Sequence, residues 1–275
     1  MNTLILHIGT DKTGTTSLQN FLTANRERLG EISSWSYPDL SRQRIDNLFD
    51  LLLVKEEERT TTSQERRRYY EELEKVLAHK NVVLSSEQFY IHWDESIKIL
   101  DEMAPRFADL KIVLYLRRQD LYWESLWGEN VKWGLTRDPQ QALRCGDYRD
   151  RCDYYGRIGD LCKIIKKEQL ILRLYEGKSE FPKFDVINDF LEILGLSEKK
   201  EIFIFGKTEN VRLSRDCLEL MRFYHAVRKE QFAQMQPEWN FERLFTDISS
   251  GMERGKMNRG GVPQFAREDL YVGSP

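Results

Sequence analysis

The stretch Leu4-Ile5-Leu6-His7-Ile8-Gly9-Thr10-Asp11-Lys12-Thr13-Gly14-Thr15-Thr16-Ser17-Leu18-Gln19 contains the pattern that decides the fold. A short apolar run leads into a turn with two glycines, and apolar residues at helical spacing follow, which predicts strand, loop and helix. The backbone amides at a helix N-terminus favour an anion in such a loop. Lys12 adds a positive charge, and Gly14 lets the backbone approach a ligand because it has no Cβ atom. We therefore predict a phosphate-binding loop over residues 9–17.

The order of residues in this phosphate loop differs from that of proteins that bind nucleoside triphosphates. Their motif, G-x-x-x-x-G-K-[ST], places the lysine directly after the second glycine. Gly9 and Gly14 have the required glycine spacing, but Thr15 follows Gly14 and the lysine precedes it. The structural alternative is an ordinary helix N-terminus capped by Thr13 or Thr15.

Length and composition suit one globular domain over residues 1–275, with helical elaborations around residues 42–78 and 215–250. The net charge of −3 argues against a general nucleic-acid-binding protein, so any anion site must be a local basic patch. The four cysteines form no C-x-x-C pair and no metal-ligand spacing, which favours reduced thiols and a cytoplasmic location. We also expect no signal peptide and no membrane-spanning segment.

Polar residues end two further predicted strands. Ser86 and Glu87 follow an apolar run at 82–84, and Arg117 ends another apolar run that begins at Leu110. Ligands of parallel α/β sheets lie beyond the carboxyl ends of the strands, which is also where the phosphate loop points. Glu87 is a candidate general base and Ser86 a candidate substrate contact, although Glu87 would also suit a helix cap or an ion pair.

Arg117 suits a second phosphate, because a guanidinium grips phosphate oxygens as a fork. A kinase would need an acidic residue near the phosphate loop to organise Mg²⁺. Neither strand ends in an apolar run followed by Asp. A small-molecule kinase that uses Mg-ATP is therefore the alternative function rather than the preferred one.

The order Lys12-Thr13-Gly14-Thr15-Thr16 resembles the 5′-phosphosulfate loop of the sulfotransferases that use 3′-phosphoadenosine 5′-phosphosulfate (PAPS). This family binds the 3′-phosphate of PAPS with a strand-end arginine and a serine eight positions later, which is the spacing of Arg117 and Ser125. The resemblance implies a P-loop-like sulfotransferase fold, an α/β domain whose central, mostly parallel sheet is flanked by helices. It also implies PAPS as cofactor, adenosine 3′,5′-bisphosphate as product, and no metal.

The activity implied is transfer of the sulfuryl group to a hydroxyl or amine, with a carbohydrate or glycolipid as the acceptor. A non-catalytic nucleotide-binding relative is a further alternative. Lys12 and Glu87 are the implied catalytic residues, and Ser86 is a candidate for the acceptor side. Lys132 and Arg137 could meet an anionic acceptor, although a solvated surface is the favoured alternative for both. The residues implied to bind the cofactor are Lys12, Thr13, Gly14, Thr15, Thr16, Ser17, Arg117, Ser125, Lys207 and Arg212.

Three local patterns give further expectations. The polar stretch 134–160 is predicted to be a long loop on the substrate side. A short helix over 97–103 is expected to stop at Pro105. Gly195 is expected to terminate the helix that contains Asp189 and Phe190.

Overall fold

A computed structural model describes residues 2–38, 63–175, 184–206 and 213–231 of the chain. Within the predicted helical elaborations, it shows helices at Ser63–Leu77 and Arg215–Gln231. The other parts of those elaborations, residues 42–62 and 232–250, lie outside the described residues, as do Lys207 and Arg212.

The described strands form one parallel sheet, which confirms the predicted α/β class. Its strand order is β2-β3-β1-β4-β5, and every neighbouring pair is parallel. Strand β1 lies in the middle and is buried along its whole length, as the apolar run of a parallel strand requires. The strands are β1 (Leu4–His7), β2 (Trp35–Ser36), β3 (Asn81–Ser85), β4 (Leu110–Arg117) and β5 (Leu170–Tyr175).

Helices connect and flank these strands. The described α-helices are α1 (Thr15–Ala24), α2 (Arg26–Ile32), α3 (Ser63–Leu77), α4 (Gln88–Ile91), α5 (Trp93–Arg106), α6 (Gln119–Lys132), α7 (Pro139–Arg144), α8 (Arg149–Cys152), α9 (Tyr154–Ile164), α10 (Val186–Ile193) and α11 (Arg215–Gln231). Short 3₁₀ helices lie at Lys167–Gln169 and Ser197–Ile202.

The chain divides into two compact units. The first comprises Met1–Trp123 and Tyr148–Thr208 and contains the whole described sheet. The second comprises Glu124–Asp147 and Glu209–Pro275, so the division falls within α6. In the second unit, Arg222 Nη1 donates to the carbonyl oxygen of Thr136 at 3.0 Å. Organisation of residues 1–275 as a single domain stays a prediction.

One apolar core in the first unit holds the phosphate loop in place. Side chains of β1 and β4 pack with the buried side of α1 and with α10. Helix α1 is therefore pressed against the sheet, and its N-terminus lies just beyond the carboxyl end of β1. The buried members from these four elements are Ile5, Leu18, Phe21, Leu22, Val113, Tyr115, Val186, Phe190 and Leu191.

The prediction of a long loop over 134–160 was wrong, because α7, α8 and most of α9 lie within it. Asp138 begins α7 with a capping box in which its side chain accepts from the Gln141 amide, and Pro139 occupies the first turn. Asp153 accepts from the Gly156 amide at the start of α9. These capping signals are local, and they decide the structure despite the polar composition.

Of the two helix ends predicted from the sequence, the one at Pro105 was wrong and the one at Gly195 is confirmed. Helix α5 contains Pro105 and continues to Arg106, so the expected stop at Pro105 was wrong. A proline so close to the end removes one intrahelical bond without preventing a final residue from adopting the helical conformation. Gly195 does terminate α10, with φ 69° and with Leu196 N donating to Leu191 O at 2.8 Å, as in a Schellman motif.

Candidate functional site

The phosphate loop leaves the sheet only after Thr10. Ile8 N and Thr10 N each donate to a β4 carbonyl at 3.0 Å, and Tyr115 N donates to Gly9 O at 2.8 Å. Beyond this point the backbone turns sharply, with φ 62° at Lys12 and 78° at Gly14. The left-handed conformation of Lys12 is uncommon for a residue with a Cβ atom, and such positions cluster at functional sites.

The first turn of α1 is not capped by a side chain. Its N-cap is Gly14, which has no side chain, and the Thr13 hydroxyl donates to the Thr10 carbonyl instead. The alternative of a helix capped by Thr13 or Thr15 is therefore wrong. An uncapped α-helix presents its first backbone amides and the positive end of its dipole to an anion.

Gly14 is required for steric reasons as well as for its positive φ. A Cβ atom built on it would lie 3.0 Å from Val186 Cγ1 and 3.5 Å from Tyr175 Cε2. The start of α1 thus packs closely on the end of β5 and the start of α10. A residue with a Cβ atom at position 14 would be strained by the positive φ, and Val186 would have to shift by a few tenths of an ångström.

Arg117 reaches the phosphate loop from the end of β4. Its Nη1 donates to the carbonyl oxygen of Lys12 at 3.1 Å, and its Cζ lies 5.7 Å from the centroid of the Tyr175 ring. Tyr154 holds the backbone at this point, because its hydroxyl donates to Arg117 O at 2.8 Å. The structure therefore brings together Arg117 and Lys12, which the sequence placed only at the same edge of the sheet.

Glu87 lies beside the same loop. It lies two residues after the last residue of β3, next to Ser86, and a Cβ atom built on Gly9 would be 3.4 Å from Glu87 Cβ. Gln19 of α1 donates from Nε2 to Glu87 Oε2 at 2.6 Å. Ser86 is buried, with 2% of its surface exposed, and its amide bonds to His7 O. Glu87 is half-buried and thus more accessible than Ser86.

Asp11 belongs to a cluster that the sequence did not predict. The Tyr122 hydroxyl donates to Asp11 Oδ1, and Arg151 Nη1 lies 3.2 Å from Asp11 Oδ2. Burial, reinforced by the Asp11 carboxylate, raises the pKa of Tyr122 well above its ordinary value, so the phenol stays a donor. Arg151 is 140 residues from Asp11, and no local pattern indicates this pairing.

His7 lies at the end of β1, where a charged imidazole would add to the positive potential of the loop. Its ring is buried and its Nδ1 lies 2.8 Å from Ser85 Oγ. Burial lowers the pKa of His7 from 6.5 to about 3. The imidazole is therefore neutral at pH 7, and the positive charge of the loop comes from Lys12 and Arg117.

This buried imidazole predicts an acid-sensitive fold. Between about pH 3 and 6.5 the unfolded chain binds a proton at His7 that the native chain does not, so stability falls as the pH is lowered through that range. The contribution from pH 7 to 5 is a loss of about 2 kcal/mol of unfolding free energy. Urea unfolding at both pH values should show a smaller loss in His7→Asn, which retains a polar partner for Ser85. An equal loss in both proteins would exclude His7 as the cause.

The remaining candidates among the described residues belong to the second unit. Ser125 lies in α6, Lys132 Nζ is 3.3 Å from Glu129 Oε2, and Arg137 forms two hydrogen bonds to Asp147 at 2.9 and 3.0 Å. Their roles toward cofactor or acceptor stay predictions.

The described residues also bear on metal sites and membrane-spanning helices. No group of three or more His, Cys, Asp or Glu side chains there has a metal-binding arrangement. Within the same residues, no helix has both the length and the apolar character needed to span a membrane.

The chain has few matches among known proteins and protein families. No protein-family model matches the chain. An uncharacterised protein of Archaeoglobus fulgidus is 33% identical over 116 residues, which is 42% of this chain and 30% of that protein. The chain thus matches less than a third of the length of this relative.

Two solved structures also match. The sulfotransferase from Alicyclobacillus acidocaldarius has 17% identity and a TM-score of 0.45, covering 88% of this chain and 99% of its own. The sulfotransferase domain of the curacin biosynthetic pathway has 12% identity and a TM-score of 0.43, covering 91% of this chain and 98% of its own.

Proposed function

We propose that this protein transfers the sulfuryl group of PAPS to a hydroxyl or amine of an acceptor. The observation that supports it most is the hydrogen bond from Arg117 Nη1 to the carbonyl of Lys12 at 3.1 Å. It brings the residue proposed for the 3′-phosphate next to the residue proposed for the 5′-phosphate. The two residues are therefore close enough to bind phosphates of the same nucleotide.

The donor set of the loop fits the charged end of such a nucleotide. The first amides of α1 are uncapped, Lys12 is cationic, and Thr15, Thr16 and Ser17 offer hydroxyl groups. We propose that residues 13–17 and Lys12 hold the 5′-phosphate and that Arg117 holds the 3′-phosphate. Ser125, Lys207 and Arg212 remain candidates from the sequence for the 3′-phosphate or the adenine.

PAPS, when bound, supplies the sulfuryl group and a bisphosphate leaving group. The ammonium of Lys12 stabilises negative charge that develops at the 5′-phosphate, an electrostatic effect that is strongest where the donor is already in position. Glu87 accepts the proton of the attacking hydroxyl. The phosphate loop, β3 and β4 hold these groups at one edge of the sheet and thereby orient the two substrates.

The proposal extends to the class of acceptor and to a cytoplasmic location. The resemblance in the sequence favours a carbohydrate or a glycolipid as the acceptor. The cysteines at 145, 152, 162 and 217 are free thiols, in keeping with a cytoplasmic enzyme.

Each alternative lacks a specific observation in its favour. A kinase would need the lysine after Gly14, where Thr15 stands. A non-catalytic relative would be favoured by a Glu87 turned away from Lys12, and among the described residues no contact of the Glu87 carboxylate other than its bond to Gln19 bears on this alternative.

Thermal unfolding with adenosine 3′,5′-bisphosphate or Mg-ATP tests the cofactor. The bisphosphate at one hundred times its Kd should add about 2.7 kcal/mol of stability and raise Tm by several degrees, and Mg-ATP should do less. Arg117→Ala should abolish most of this shift. Arg118→Ala is the matched control, because Arg118 is exposed and pairs with Asp120 at 2.7 Å. A larger shift with Mg-ATP would favour the kinase and contradict the proposal.

A further inference from the structure

The hydrogen bond between Gln19 and Glu87 joins helix α1, which presents the proposed anion-binding amides, to the segment after β3, which carries the proposed base. Gln19 lies on α1 with 7% of its surface exposed, and Glu87 is half-buried at the end of β3. The distance from Gln19 Nε2 to Glu87 Oε2 is 2.6 Å, short for a hydrogen bond between an amide nitrogen and a carboxylate. The carboxylate is therefore held from the side of the phosphate loop.

A neutral amide is well suited to this task. It fixes the orientation of the carboxylate without neutralising its charge, whereas a lysine or arginine would form an ion pair with it. A bond to one carboxylate oxygen also leaves the other oxygen with lone pairs for a proton. The arrangement orients a base and keeps it able to accept a proton.

Helix α1 links the base to the anion-binding amides. Gln19 is five residues after the N-cap Gly14, which corresponds to about 7.5 Å along the helix axis. Leu18, Phe21 and Leu22 bury the inner side of α1, so the helix is a rigid spacer. About one and a half turns of a single helix therefore separate the proposed leaving-group site from the residue that holds the Glu87 carboxylate.

We infer that Gln19 is a positioning residue for Glu87 in sulfuryl transfer. This inference rests on the proposed function. Gln19 does not touch the reacting atoms; it holds the carboxylate at the angle and distance at which the acceptor hydroxyl meets it. General-base efficiency depends on such hydrogen-bond geometry.

Gln19→Met tests the inference, because methionine has similar length and no donor. We expect kcat to fall 10- to 100-fold while the Kd for adenosine 3′,5′-bisphosphate, measured by calorimetry, changes less than threefold. The matched control is Gln169→Met. Gln169 Nε2 also makes a partly buried bond, to Leu110 O at 2.9 Å, but at the amino end of β4. Its kcat should remain within twofold of the wild-type value.

A double-mutant cycle separates positioning from general stability. In a Glu87→Gln background, Gln19→Met should lower kcat by less than twofold further, because a residue that acts through the base has nothing left to position. A kcat within threefold of wild type for Gln19→Met alone would overturn the inference, and so would effects that multiply in the double variant. A wild-type chain that transfers no sulfuryl group would instead contradict the proposed function.

Discussion

Lys12→Ala is expected to lower kcat by a factor of 100 or more with PAPS as donor. Lys12 lies in the loop before an uncapped helix N-terminus, and in the proposed reaction its ammonium stabilises charge that appears only as the sulfuryl bond breaks. Removing one such preorganised donor costs about 10²- to 10³-fold in known enzymes. The measurement is the rate of adenosine 3′,5′-bisphosphate release at saturating donor and acceptor.

Alanine at position 12 changes the side chain without changing the backbone strain of the loop. Residue 12 has a φ of 62°, and both lysine and alanine carry a Cβ atom, so the cost of the left-handed conformation is present in both proteins. Lys98→Ala, on the exposed side of α5, is the charge-matched control. Turnover by Lys12→Ala close to that of this control would remove Lys12 from the mechanism.

Glu87→Gln has the second large expected effect, a 10²- to 10⁴-fold loss of kcat, which is the usual contribution of a general base. Glutamine preserves the size of the side chain but is a far weaker base. The residues proposed to bind the cofactor lie elsewhere on the loop and on β4, so affinity for adenosine 3′,5′-bisphosphate should be unchanged. Single-turnover rates together with calorimetry would separate these two quantities.

The kcat of Glu87→Gln can also contradict the proposed role of Glu87. Unchanged kcat in Glu87→Gln would mean that another group accepts the proton. Glu95→Gln, an exposed first-turn residue of α5, provides a control for the same chemical change away from the site. Reduced cofactor affinity in Glu87→Gln would indicate that the carboxylate supports the loop rather than the reaction.

The elements around the site were predicted where their signals are local. The apolar run of β1, the glycines at 9 and 14, and the polar ends of β3 and β4 all lie within a few residues of the structures that they specify. The helices between residues 139 and 164 had equally local caps, but polar composition concealed them. Composition is a weaker indicator than a capping box, because it does not depend on residue order.

The contacts that complete the site could not be predicted, because they join distant parts of the chain. Gln19 and Glu87 are 68 residues apart, and Asp11 and Arg151 are 140 residues apart. Both pairs depend on how α1 and α8 pack against the ends of the strands. Side-chain spacing within one element carries no information about such distances.

The sequence alone determined that a glycine-containing loop with a lysine would join a buried strand to a helix, since backbone sterics and hydrophobic periodicity act over a few residues. Only the tertiary structure decided that Arg117 would bond to the carbonyl of Lys12 and that Gln19 would hold Glu87. The physical reason is the parallel register of β1 with β3 and β4, which brings the ends of strands far apart in the chain to one edge of the sheet.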